Sequence, residues 1–397
     1  MADLNSPDHQ FCVEISVDEV DELLHRHVAT DRDEIGQTAT ASAIQAAAAT
    51  PTAPLYTGAF GSVDLESSSP TPIDEHTPFD IASLTKALAG SILAMQAVDE
   101  GFVDWDTPIA DIMPVWADRP DEISHSVTFL QILNHSSGLP AWRKFYLEHP
   151  IDPSPQQARK TRQAVLKSIV DTPLEGPPGM VHAYSDLGYL LLARLLELIF
   201  DDDLYQLVKR RIIEPLGLQR TRYVDVHHHS EPIGEAVVTE VCPLRKRVVR
   251  GTVHDENTNI IGGTSTHAGL FSTASEVLQF GLHLLAIDAG DEPPNQLVSR
   301  ETLQFAWSTR AGSEQGSHLA GWDTPSGAKS SAGRGFSPAH TVGHLGFTGT
   351  SLWIERRQKV VSVLLSNRVY PTRENDRIRD LRIAFQEKIL PPNSTDE

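Results

Sequence analysis

At 397 residues and 40% hydrophobic content, the chain is long enough for one large globular domain or two smaller ones. A net charge of −20 argues against nucleic acid or an anionic membrane surface as the main partner, since both repel it. Only Cys12 and Cys242 are present, far apart and without a CxxC spacing, which argues against a disulfide framework and a cysteine zinc site. Nine of the 33 basic residues are lysine, and the acidic excess predicts a hydrated surface suited to salty surroundings.

The first twenty residues, MADLNSPDHQFCVEISVDEV, lack the basic and apolar regions of a secretory leader. The chain as written is therefore expected in the cytoplasm, or in the periplasm if its true start lies upstream. Residues 1–10 are expected to be disordered. VDEVDELLHRH (17–27) reads as an amphipathic surface helix, and strand-like stretches follow near Thr38–Ala47 and Leu55–Val63. The run Lys86–Met95 is apolar nearly all round, which predicts a buried helix with its stop at Glu100-Gly101. Helices are expected over Val127–Asn134, Gln157–Val170, Asp186–Phe200, Leu204–Ile212 and Ala274–Ala286. Ala311–Thr341, rich in Gly, Ser and His, reads as a long surface loop. Strands at Ser351–Glu355 and Val360–Ser366 and a helix over Glu374–Lys388 complete the chain. The longest apolar run, LGYLLLARLLELIF (187–200), is too short and too interrupted to span a bilayer.

Strand signals at both ends with helices between predict an α+β architecture of the α/β sandwich type. An antiparallel sheet built from both termini (11–82 with 287–397) is flanked by helices, and a mostly helical region (83–286) is inserted, with a cleft between the two parts.

Ser83 and Lys86 lie three residues apart at the start of the buried helix and so share one face. The helix N-terminus favours developing negative charge, and a partly desolvated Lys86 is suited to act as a base. The competing reading is a capping serine and a lysine that snorkels to solvent. S-x-x-K alone is weak, because Ser326–Lys329 repeats it inside the long loop.

Further segments add weight: VTFLQILNHSSGLP (127–140), PPGMVHAYSDLGYLLLARLLE (177–197) with EPLGL (214–218), THAGLFSTASEVLQF (266–280), and GHLGFTGTSLWIERRQKVVSVLLSNRVYPTREN (343–375). With Ser83-Leu-Thr-Lys86 they resemble, in order and spacing, the serine β-lactamase and penicillin-binding-protein superfamily, and more narrowly its class C-related branch. The resemblance implies a β-lactamase/transpeptidase-like fold and an acyl-enzyme formed on Ser83, with Lys86 hydrogen-bonded to it. It places Tyr184 across the cleft as the second proton-handling group, its pKa lowered by nearby positive charge. It makes the backbone N–H groups of Ser83 and Phe347 the oxyanion hole. Gly346 is then needed so that the strand approaches the substrate without a Cβ.

Three departures bear on substrate. Asp186 stands where the family has asparagine; ionised, it only accepts hydrogen bonds and holds Lys86 protonated, which moves the base role toward Tyr184. His344 replaces the lysine of the family's Lys-Thr-Gly motif, exchanging a fixed charge for a titratable imidazole. Leu345 removes the threonine hydroxyl. Both of the latter weaken recognition of a carboxylate and argue against efficient β-lactamase activity. The tail NRVYPTREN, Val253–Asn257 (VHDEN) and His267-Ala-Gly269 resemble a subgroup associated with peptidoglycan recycling. In that subgroup His254, Asp255 and Asn257 line the cleft, although a polar loop with its own hydrogen bonds explains them equally well.

His227–His229 cannot converge on one ion from a regular element, and no HExxH, P-loop, GxGxxG or G-x-S-x-G is found. The expectation is a serine hydrolase without metal or cofactor, acting on a small-molecule acyl amide, ester or β-lactam. A small peptidoglycan-derived amide or an ester is preferred. The alternatives are a true β-lactamase or D,D-carboxypeptidase, and a catalytically silent binding protein of the same fold. The sequence leaves the oligomeric state open.

Overall fold

The two termini meet in one sheet. A computed structural model of the protein describes residues 15–310, 316–327 and 329–392. The expected disorder of residues 1–10, Cys12 and parts of the 311–341 loop lie outside the described residues. β1 (Ala43–Ala49), β2 (Pro54–Gly61), β3 (Thr341–Leu345), β4 (Ser351–Glu355) and β5 (Val360–Ser366) form an antiparallel sheet in the order β2-β1-β5-β4-β3. β1 and β5 are buried along their whole length, which is why they read as Ala and Val runs with little alternation. One face of the pair (Ile44, Ala46, Ala48, Leu364) packs under the helices Val17–His27 and Ile378–Ile389. The other face (Ala43, Ala47, Val361, Val363) packs on the helix Ala274–Ala289 through Val277, Phe280 and Leu284.

The expected boundary at 286/287 falls inside this last helix, which lies against three strands of the sheet. Its apolar contacts continue without a break into the helical region, where the helix Asp186–Phe200 buries Leu187–Ala193, Leu195 and Leu196. A small sheet of Phe79–Asp80, Leu270–Ser272 and Arg222–Tyr223 joins the two parts and leads directly into Ser83.

The expected helix at Lys86 begins as a wide turn, a π-helix over Lys86–Ser91 with all six residues buried, before continuing as Ile92–Asp99. The expected helix over 204–212 is likewise Leu204–Val208 followed by a π turn, Lys209–Ile213. The reading of Ala311–Thr341 as a surface loop needs correction. Leu319, Ala320 and Trp322 are buried, and the Trp322 indole N–H donates to Ser91 Oγ at 3.0 Å. Asp323 pairs with Gly343 on the open edge of β3, so this segment covers the sheet edge. No described helix is long and apolar enough to cross a membrane.

Candidate active site

Ser83 follows a strained turn. Ala82 sits at φ 48°, a left-handed conformation costly for alanine, and Asp80 Oδ1 holds it there by accepting from the Ala82 N–H at 2.8 Å. Asp80 Oδ2 accepts from the His254 N–H at 2.7 Å, and burial raises the pKa of this carboxyl. Ser83 is half-buried and opens into a cavity of about 760 Å³.

Three turns of chain bring Lys86, Tyr184 and Asp186 to the serine. Lys86 is fully buried, and its ammonium donates to Asp186 Oδ1 at 2.7 Å, to Ser83 Oγ at 3.3 Å and to the His267 carbonyl at 3.3 Å, which uses all three protons. Burial opposes its charge, but Asp186 and then Tyr184 outweigh that, and its pKa is raised. With Asp186 at 2.7 Å, these contacts favour the charged form of Lys86 over a free amine base. Ser185 caps the helix Asp186–Phe200 in an extended conformation (φ −115°, ψ 110°), so Tyr184 and Asp186 project to the same side. The Lys86 ammonium lies 4.7 Å from the Tyr184 ring centre. Burial raises the Tyr184 pKa, while the Lys86 charge and the contacts of the phenol with Lys86 and Ser83 pull against it. The expected net lowering is thus reversed, because desolvation is the larger effect.

His344 faces the same cavity from β3. Its Nδ1 lies 2.8 Å from the Leu345 carbonyl, a contact that requires Nδ1–H and leaves Nε2 as an acceptor. Burial, then Lys86 and His318, push its pKa well below the usual histidine value. It is a neutral imidazole, and the expected titratable charge is absent near neutral pH. Leu345 and Gly346 line the cavity beside it. Gly346 has a packing role as well. A Cβ there would meet Thr350 Oγ1 at 1.9 Å and the Ile81 carbonyl at 2.7 Å, so packing against its own turn and the nucleophile segment already requires glycine. The two segments are stapled: Thr348 Oγ1 donates to the Asp80 carbonyl at 2.8 Å and Thr350 Oγ1 to the Ile81 carbonyl at 2.9 Å. Among the described residues, neither the Ser83 N–H nor the Phe347 N–H has a hydrogen-bond partner within the chain.

His254 reaches the cavity wall, but its Nε2 is engaged with Glu240 at 3.0 Å and its ring stacks on Phe347. Asp255 lines the cavity, caps the helix Glu256–Ile260 and pairs with His267, which holds its carboxyl well below the usual range against the cost of burial. Asn257 does not reach the site. It is buried, donates to the Arg143 carbonyl at 2.8 Å and accepts from the Tyr146 N–H at 3.3 Å, so it fastens a loop. His227–His229 do not converge: His228 stacks on Tyr205 and pairs with Asp203. Among the described residues one group, Glu240, Cys242 and Glu256, has ligand atoms close enough for an ion. Arg373 occupies both carboxylates at 2.5 Å, which leaves no room for a cation there.

Sequence reasoning missed several neighbours. His135 and His318 lie against Tyr184, with ring centres 4.5 and 5.2 Å from it, and His182 stacks on His318. Burial, with help from His182 and Lys86, pushes His318 down to about 4. Arg368, Arg379 and Arg382 form a basic wall beyond Phe347. Only tertiary closure assembles these groups; the one local signal was an acid, Asp80, inside an apolar stretch.

The Beta-lactamase family model matches residues 31–386, nine-tenths of the chain. The chain belongs to that family. It is therefore a member of the serine β-lactamase and penicillin-binding-protein superfamily, a family of hydrolases. A curated relative from Escherichia coli (strain K12), named "Putative D-alanyl-D-alanine carboxypeptidase", is 30% identical over 327 residues, covering 78% of this chain and 72% of that one. The octameric penicillin-binding protein homologue from Pyrococcus abyssi superposes with a TM-score of 0.64 at 19% identity, over 88% of this chain and 76% of that chain. EstCE1, described as a hydrolase with promiscuous acyltransferase activity, does so at 0.65 and 18%, over 92% and 98%. At these identities the two structures establish the β-lactamase/transpeptidase-like fold alone.

Proposed function

We propose that this family member is a serine hydrolase of the class C-related branch that cleaves a small amide or ester through an acyl-enzyme on Ser83. The observation that carries the reading is the junction at Lys86, where one buried ammonium touches Ser83 Oγ and Asp186 and lies under the Tyr184 ring. Ser83 Oγ attacks the carbonyl carbon and its proton passes to the ionised Tyr184 phenol, which is in contact with Ser83 and can accept it while Lys86 stays charged. The Ser83 and Phe347 N–H groups receive the developing oxyanion. On collapse, the same phenol returns the proton to the departing amine or alcohol, and water then hydrolyses the ester by the reverse transfer.

The neutral His344 and apolar Leu345 favour a substrate not anchored by a carboxylate at that strand, such as a small peptidoglycan-derived amide or an ester. A second reading, a D,D-carboxypeptidase, draws on the name of the curated relative and on Arg368 and Arg379, which line the cleft without an ion-pair partner among the described residues. Hydrolysis of p-nitrophenyl esters, D-amino-acid amides and D-Ala-D-Ala peptides, compared with the Ser83→Ala variant, tests the assignment. The reading expects turnover of at least one ester or amide and its loss in the variant. Turnover that survives Ser83→Ala would remove the serine from the mechanism.

A further inference from the structure

A guanidinium sits behind the oxyanion donor. Arg382, on the helix Ile378–Ile389, is buried, and among the described residues it has no carboxylate partner. Its Nη2 donates to the Gly346 carbonyl at 2.8 Å and to the Thr350 carbonyl at 2.7 Å. The Gly346 carbonyl belongs to the same peptide group as the Phe347 N–H. In a trans peptide the two point in opposite directions, so fixing the carbonyl on one side aims the N–H to the other, toward the cleft. Arg368 Nε holds the next carbonyl, that of Phe347, at 2.9 Å, and its guanidinium lies 4.6 Å from the Phe347 ring centre.

A buried cation without an anionic partner is costly, and an apolar side chain fills such a space at less cost. Burial and the charges of Arg368 and Arg379 bring Arg382 down to about 9, a measure of how unfavourable its position is. The compensation is two main-chain carbonyls, and one of them belongs to the donor peptide. A hydrogen bond to a carbonyl polarises its amide and strengthens the N–H as a donor, and a charged donor does so more than a neutral one.

We propose that Arg382, assisted by Arg368, is a positioning residue for the oxyanion hole: it clamps the Gly346–Phe347 peptide so that the Phe347 N–H is aimed at the cleft and polarised before substrate arrives. This rests on the acyl-enzyme reading above and adds a role for guanidinium groups that act through the donor peptide rather than on the reacting atoms. The clamp acts on the tetrahedral state more than on the bound substrate, because charge on the oxygen grows between them.

The test compares Arg382→Met, Arg382→Lys and Arg368→Gln with the parent enzyme, using its best ester and a boronic acid that forms a tetrahedral adduct on Ser83. Deleting a whole oxyanion donor costs about 10²–10³ in kcat. Loss of the clamp on a donor that remains present is expected to lower kcat about 10- to 100-fold with little change in KM, and boronate affinity should weaken in step with kcat. Arg382→Lys recovers part of the loss, and Arg368→Gln shows a smaller one. If Arg382→Met does not fold, the lysine and Arg368 variants carry the same comparison. Unchanged kcat, a loss confined to KM, or boronate binding that does not follow kcat overturns the clamp. A parent enzyme that turns over no ester or amide and forms no boronate adduct overturns the underlying reading instead.

Discussion

Replacing Gly346 by alanine tests the closeness of the nucleophile and oxyanion segments. The added Cβ would lie 1.9 Å from Thr350 Oγ1 and 2.7 Å from the Ile81 carbonyl. Thr350 can rotate away only by giving up its 2.9 Å hydrogen bond to Ile81, worth about 1 kcal/mol. The Ile81 carbonyl is main chain and yields only if β3 and the Ser83 turn separate. Overpacking of this kind costs about 1–3 kcal/mol, which for a protein of 397 residues lowers Tm by roughly 1–4 °C. The same separation moves the Phe347 N–H away from Ser83, and a displacement of about 1 Å costs on the order of 10²-fold in rate. Calorimetry and steady-state kinetics of Gly346→Ala, Thr350→Ala and the double variant give the result. The account expects a 10- to 100-fold loss in kcat for Gly346→Ala and a double variant less impaired than the product of the single losses, since removing Oγ1 relieves the worst contact. Wild-type kcat in Gly346→Ala, or strictly multiplicative losses, would refute the reasoning.

Because Tyr184 accepts a proton only when ionised and burial raises its pKa, kcat/KM is expected to climb with pH through the alkaline range. Asp186 favours protonation of both Lys86 and Tyr184, so Asp186→Asn should move that limb toward lower pH; an unmoved profile contradicts the coupling. His135, His318 and His344 are all held neutral by burial, with folded pKa values below the unfolded value near 6.5. Their stabilisation is complete above about pH 6.5 and is lost as pH falls toward the folded values, by up to about 1.4 kcal/mol per pH unit for each group. A Tm-against-pH series should decline below pH 6.5, and less steeply in His318→Gln. With a net charge of −20, Tm should also rise between low and molar salt as self-repulsion is screened.

What could be read in advance was what is local. Asp186–Phe200, Ser351–Glu355 and Val360–Ser366 match their expected bounds because their apolar patterns are long and their ends carry turn residues. Ser83, Tyr184 and His344 line one cavity with Lys86 buried behind the serine, and the family resemblance had pointed to these four positions. The π turn at Lys86 left no signal, because a run apolar on every side has no period to disturb. β3 shows no strand pattern of its own, with Gly343 and His344 in it, and was placed by the family resemblance alone; the two-residue strands of the small sheet are too short to show alternation. Asn257 and His254 read alike in sequence, yet one fastens a loop and the other lies in the cleft wall; only their neighbours in space distinguish them. The same holds for Arg382, whose partners lie 36 and 32 residues away.

The central claim is covalent chemistry at one oxygen. Intact-mass spectrometry after brief exposure to esters, D-amino-acid amides, muropeptides and β-lactams in parallel reads it directly. The account predicts an acyl adduct with at least one of these, mapped to the Ser83 peptide and absent from Ser83→Ala. An unmodified mass with every compound while substrate is being consumed, or an adduct on another residue, would contradict it.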